Sequence, residues 1–103
     1  MSRQTCSAVR TPNDAMETRA VTIVNALGLH ARAAARFVHQ AGQFTSQIKV
    51  TRGPRTVDGK SILGLLLLAA PRGATLELSA SGPDALAAVD ALAGLVARGF
   101  DEA

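Results

Sequence analysis

Two histidines, His30 and His39, are the candidates for nucleophilic chemistry in this 103-residue chain. His30 follows Gly28-Leu29, where a strand pattern gives way to a helical one. A side chain at such a junction lies beside the unpaired amides of a helix N-terminus. Those amides and the helix dipole disfavour an imidazolium and favour an added anion. A neutral imidazole nitrogen there is a competent nucleophile. Arg32, two residues on, carries a charge suited to a bound phosphoryl group. Gly28 lets the backbone turn sharply and leaves the site open. On spacing alone, His30 reads equally well as a polar residue that satisfies a helix end. His39 falls within the helical segment and off its apolar stripe, so it reads as a surface residue. Nine residues do not place the two rings one turn apart, and no cysteine lies near, so no metal site is expected.

The elements that position these residues follow from the apolar pattern. Residues 1–17 are polar, contain Pro12 and show no periodicity; they read as a disordered or loosely ordered arm. Thr18 to Asn25 is rich in β-branched residues, with Val21 and Ile23 on one face, and reads as a strand. From Ala31 to Gln43 the period becomes helical, with Ala31, Ala34, Ala35, Val38 and Ala41 or Gly42 as the stripe. Ser46 to Thr51 alternates as a strand, Arg52-Gly53-Pro54-Arg55 is a turn, and Thr56 to Asp58 a short return. Ser61 is placed to cap a short apolar helix, Ile62 to Leu68, in which Gly64 permits a close contact. Ala74 to Ala80 alternates cleanly. A last helix follows Ser81-Gly82-Pro83-Asp84, with Pro83 in its first turn and Leu86, Val89, Leu92, Ala93 and Val96 facing the core. Gly99 ends it, leaving Phe100 to Ala103 as a tail.

Strand alternation of this kind implies a sheet covered on one face. The expected architecture is α/β, an open-faced sandwich with one domain over residues 18–100 and a tail at 101–103.

Composition narrows the function. Three Phe, no Trp and no Tyr leave a core of Leu, Val, Ile and Ala, and no stacking platform for single-stranded nucleic acid. The net charge of +3 is spread over several segments, and no nucleic-acid partner is expected. One cysteine, Cys6, suits a reducing compartment. The first 17 residues lack the apolar stretch of a secretory signal. Ile62 to Ala70 is far short of the ~20 residues that cross a bilayer. A cytoplasmic protein without membrane contact is expected.

Gly28-Leu29-His30-Ala31-Arg32 resembles the active-site motif of the HPr family of histidine phosphocarriers. Asp58-Gly59-Lys60-Ser61-Ile62-Leu63-Gly64-Leu65 is similar to that family's regulatory-serine segment, with Ser61 placed 31 residues after His30 as in the family. The resemblance runs from about Thr18 to Gly99. It implies an HPr-like four-stranded antiparallel sheet with three helices on one face. It implies phosphorylation of His30 on Nδ1, with Arg32 as the accompanying arginine. The chain would then be a carrier with a phosphohistidine intermediate, not an enzyme. The donor would be enzyme I of the phosphoenolpyruvate-dependent phosphotransferase system, and the acceptors enzyme IIA components. Ser61 would be the target of a serine kinase/phosphorylase. Leu63, Leu66 and Leu67 would form the docking surface, with at least one of them also core. A monomer without cofactor is expected.

Two features depart from the pattern. Ala33 stands where the family usually has proline, so the first helical turn is less rigidly set. Leu27, with the ending Gly99-Phe100-Asp101-Glu102, looks like the nitrogen-related (NPr) branch, whereas Gly59-Lys60-Ser61-Ile62 looks like serine-regulated carriers. Ala33 is also the feature that would suit a degenerate carrier, used only as a regulatory binding module.

Overall fold

The structure, a computed structural model, describes residues 15–102; most of the expected N-terminal arm lies outside the described residues. Four strands form one sheet: β1 (Met16–Thr22), β2 (Gln47–Arg52), β3 (Arg55–Asp58) and β4 (Thr75–Ser81). Their order is β1-β4-β2-β3, and every neighbouring pair is antiparallel. Three helices intervene: α1 (Ala31–Ala41), α2 (Ile62–Leu67) and α3 (Ala85–Ala97), and a single 3₁₀ turn follows at Gly99–Asp101.

The alternation read from the strands is what lays the sheet on its core. Ile48 and Val50 of β2 and Leu76, Leu78 and Ala80 of β4 are buried, while Gln47, Lys49, Thr75 and Glu77 between them are exposed. Val50 lies opposite Leu78 and Ile48 opposite Ala80, so the pairing register keeps one apolar face. Onto that face pack Ala33, Ala34, Phe37 and Ala41 of α1, Leu65 of α2, and Ala85, Ala88, Val89, Leu92, Leu95 and Val96 of α3. Each fully buried Leu or Val contributes about 1.5–3 kcal/mol, and the core is not built from Leu, Val, Ile and Ala alone, because Phe37 and Phe100 are its largest buried side chains.

The sheet begins already at Met16, so Met16 and Glu17 pair with Ser81 and Ala80 and do not belong to the arm. At its other end β1 stops at Thr22, before the expected Asn25. On α1 the buried stripe is rotated: Ala31 and Ala35 are exposed, and Ala33 and Phe37 face inward. Phe37 fills more of the core than Ala35 could, and its burial sets the rotation. On α3, Leu86 is exposed and Leu95 takes the core position. Pro83 lies in the turn ahead of α3, whose cap is Asp84. Among the described residues, no helix is long and apolar enough to cross a membrane.

Candidate functional site

His30 is the N-cap of α1, with extended backbone (φ −80°, ψ 179°). Its carbonyl accepts from the Ala34 amide at 2.8 Å, the first bond of the helix. Its ring Nδ1 accepts a long bond from the Arg32 amide at 3.3 Å, so Nδ1 points at the open end of the helix. Ala33 takes part in α1 and is fully buried, and the helix starts without the proline expected of the family.

The loop ahead of His30 has little freedom. Gly28 has φ +67°, and a Cβ there would meet the Ala70 carbonyl at 2.5 Å. The next amide, Leu29, donates to that same carbonyl at 2.9 Å. The histidine loop is thereby pinned to the segment that follows α2. Asn25, buried, donates its side-chain amide to the Gly28 carbonyl at 2.8 Å.

The second ring nitrogen has a partner from the other end of the chain. His30 Nε2 is hydrogen-bonded to Glu102 Oε2. Asn25 donates to Glu102 Oε1 at 2.8 Å. The Asn25 hydrogen bond, more than any other influence, holds the Glu102 carboxyl below its usual range; the bond to His30 and the charge of Arg36 act in the same direction, against burial. Arg36 donates to the Phe100 carbonyl at 2.6 Å and so anchors the turn that delivers Glu102. That turn runs through left-handed backbone at Gly99, Phe100 and Asp101 (φ 65°, 58° and 60°). Such geometry is costly for Phe and Asp, and the full burial of Phe100 holds it in place.

Residues 100–102 are therefore not a tail. The chain end closes over His30, and Asn25, Arg36 and Glu102 join a site in which the sequence pointed only to His30 and Arg32. Glu102 is 72 residues from His30, and no spacing rule reaches so far. Beside them opens a cleft of about 920 Å³, lined by Arg32, Arg36 and Arg98 as well as Asn25 and Glu102. Asp101 lines it too and pairs with Arg98 at 2.9 Å, so three guanidinium groups face two carboxylates and the cleft keeps a modest positive balance.

Ser61 caps α2, its hydroxyl accepting from the Gly64 amide at 3.0 Å. Gly64 makes this contact close, since a Cβ would come within 3.3 Å of Val57 and of the Ser61 hydroxyl. Leu63, Leu66 and Leu67 are exposed, at 68%, 36% and 56%. None of the three is core; Leu65 and Leu68 anchor α2 instead. Helix α2 packs against α1, which joins this apolar surface to the helix that His30 caps. Val24 and Leu27 in the histidine loop are exposed as well. His39 is exposed on α1. Among the described residues, no three His, Cys, Asp or Glu side chains cluster as metal ligands.

An open-faced sandwich with a histidine capping its first helix is the arrangement shared with small phosphoryl carriers, as comparison with known proteins shows. The family model described as "PTS HPr component phosphorylation site" matches residues 17–98. The chain is 51% identical over 87 residues to the phosphocarrier protein HPr of Cupriavidus necator, covering 84% of this chain and 98% of that protein. It is 46% identical over 85 residues to the phosphocarrier protein NPr of Shewanella violacea, covering 82% and 93%. The crystal structure of an HPr from Thermoanaerobacter tengcongensis superimposes with a TM-score of 0.81 at 40% identity, over 84% of this chain and 98% of that one. The chain belongs to the HPr family, and it is a phosphocarrier of the phosphotransferase system rather than a catalytic enzyme.

Proposed function

We propose that the carrier atom is Nδ1 of His30, which takes a phosphoryl group from enzyme I and passes it to enzyme IIA components. The observation that carries this reading is the placement of Nδ1 at the N-terminus of α1, within reach of the Arg32 amide. Amides there favour the charge of a phosphoryl group without moving. Arg32, exposed at the cleft, adds a mobile charge to the same group. The exposed leucines of α2, Leu63, Leu66 and Leu67, form the surface on which the partner proteins dock. Ser61, at the head of that helix, is where a serine kinase/phosphorylase would alter docking. The chain works as a cytoplasmic monomer.

Incubation with enzyme I and labelled phosphoenolpyruvate, followed by peptide mapping, tests the assignment. Acid-labile label is expected on His30 and none on His39. Label retained in His30→Ala, or recovered on His39, overturns it. A chain that binds enzyme I and takes no label is a regulatory module instead.

A further inference from the structure

Two hydrogen bonds, made by different parts of the chain, agree on one state of the His30 ring. Nδ1 faces an N–H donor, the Arg32 amide, and must present a lone pair. Nε2 faces a carboxylate oxygen of Glu102 and must present a hydrogen. Glu102 cannot turn away freely, because its other oxygen is engaged by Asn25. The Asn25 amide is in turn oriented by two acceptors, Gly28 O and Glu102 Oε1, and leaves its own buried oxygen without a partner among the described residues. Burying an unpaired oxygen is costly, and the arrangement that tolerates it is the one that aims both amide hydrogens at useful acceptors.

We propose that Glu102, aimed by Asn25, is a positioning residue for phosphoryl transfer: it holds His30 in the Nε2–H tautomer and balances the positive charge that the ring acquires. The inference rests on His30 being the acceptor. In the transfer, the Nδ1 lone pair forms the bond to phosphorus. The bond between phosphorus and the donor's leaving atom breaks, and its electron pair stays with the donor. No proton leaves the ring, since Nε2 keeps its hydrogen, so the phosphorylated imidazole is a cation beside a carboxylate. A charge-assisted hydrogen bond strengthens as that charge develops, so it favours the product more than the free ring.

Two substitutions separate this role from simple packing. Glu102→Ala removes the acceptor and frees the ring to exchange tautomers. Glu102→Gln keeps the shape but not the chemistry. Asn25 still requires an oxygen, so the new amide must offer its NH₂ to Nε2, which forces the hydrogen onto Nδ1. The isosteric variant is therefore expected to be the worse carrier. Nitrogen-15 spectra of the ring in the full-length unphosphorylated protein read the tautomer without any donor. The wild type should show Nδ1 unprotonated and Nε2 protonated, Glu102→Ala a mixture, and Glu102→Gln mainly the reverse. Initial phosphorylation rates with enzyme I should fall on the order of tenfold in Glu102→Ala and further in Glu102→Gln. Thermal melts of both variants should stay near wild type, since Phe100 and Arg36 still seat the turn. Wild-type ring spectra together with wild-type rates in both variants would overturn the proposal. If the wild type itself takes no label on His30, the acceptor assignment fails, and the ring spectra still decide whether Glu102 sets the tautomer.

Discussion

Asp84 and Ser46 join the start of α3 to the start of β2. One carboxylate oxygen accepts both the Ser46 amide, at 2.9 Å, and the Ser46 hydroxyl, while the other accepts the Thr45 amide at 2.9 Å. The Ser46 hydroxyl, ahead of the Thr45 and Ser46 amides, lowers the Asp84 pKa from 3.8 to about 2. A carboxylate depressed on folding contributes stability above its unfolded pKa and loses it as pH falls through the folded value. The contribution of Asp84 is thus complete at neutral pH and disappears between about pH 4 and pH 2. Asp84→Asn should lower the melting temperature at pH 7, and the gap to wild type should close as pH approaches 2. Melting curves across that range check it; a gap independent of pH would refute the ion's role.

Arg32 is expected to contribute charge rather than structure. Its side chain is exposed at the cleft, so Arg32→Ala should leave stability within about 0.5 kcal/mol of wild type. Phosphoryl transfer to His30 should slow, and Arg32→Lys should recover only part of the rate, because an ammonium lacks the planar fork. Equal rates in all three proteins would exclude the role.

Ser61 is expected to act twice. As a cap it contributes about 1 kcal/mol, so Ser61→Ala should be destabilised by that amount in denaturant titrations. Ser61→Asp retains an oxygen acceptor and places charge at the favourable end of the helix, so its stability should hold. The same charge beside Leu63 should hinder docking, with slower phosphorylation of His30 by enzyme I. Wild-type kinetics in Ser61→Asp would leave Ser61 as a cap alone.

Helix α2 has six residues and only Leu65 buried among them, which is too little to sustain a helix by itself. Its far end is held by arginines from the β2–β3 hairpin. Arg55 donates to the Leu67 carbonyl at 2.7 Å, and Arg52 to the Leu68 and Ala69 carbonyls at 2.9 and 3.1 Å. Cations at a helix C-terminus also suit its dipole. The double substitution Arg52→Ala, Arg55→Ala should therefore speed hydrogen exchange of the α2 amides. If α2 is the docking surface proposed above, the KM for this carrier as substrate of enzyme I should rise more than kcat falls, because that surface is loosened while His30 is not. A loss confined to kcat would contradict that division.

Much of this molecule is written locally. Alternation in β2 and β4 fixes which face of the sheet is apolar, because a one-residue shift would expose every one of those side chains. His30 and Ser61 each stand at the residue where a helical period begins, and caps are short-range devices made within three residues. The near-uniform apolar sequence of α3 left its orientation open, since almost any stripe of it could face inward; contact with β1 and β4 selected Leu95 and left Leu86 in solvent. Phe37 rather than Ala35 set the rotation of α1 for the same reason. Only the folded chain could bring Asp84 to Ser46, or Glu102 to His30. The order of the strands and the packing of α3 decide where the chain end arrives, and that is a property of the whole core. The sequence determined that His30 caps a helix, because that contact is made within two residues; the tertiary structure decided that its other nitrogen, Nε2, meets the Glu102 carboxylate, because only the packed core brings the two together.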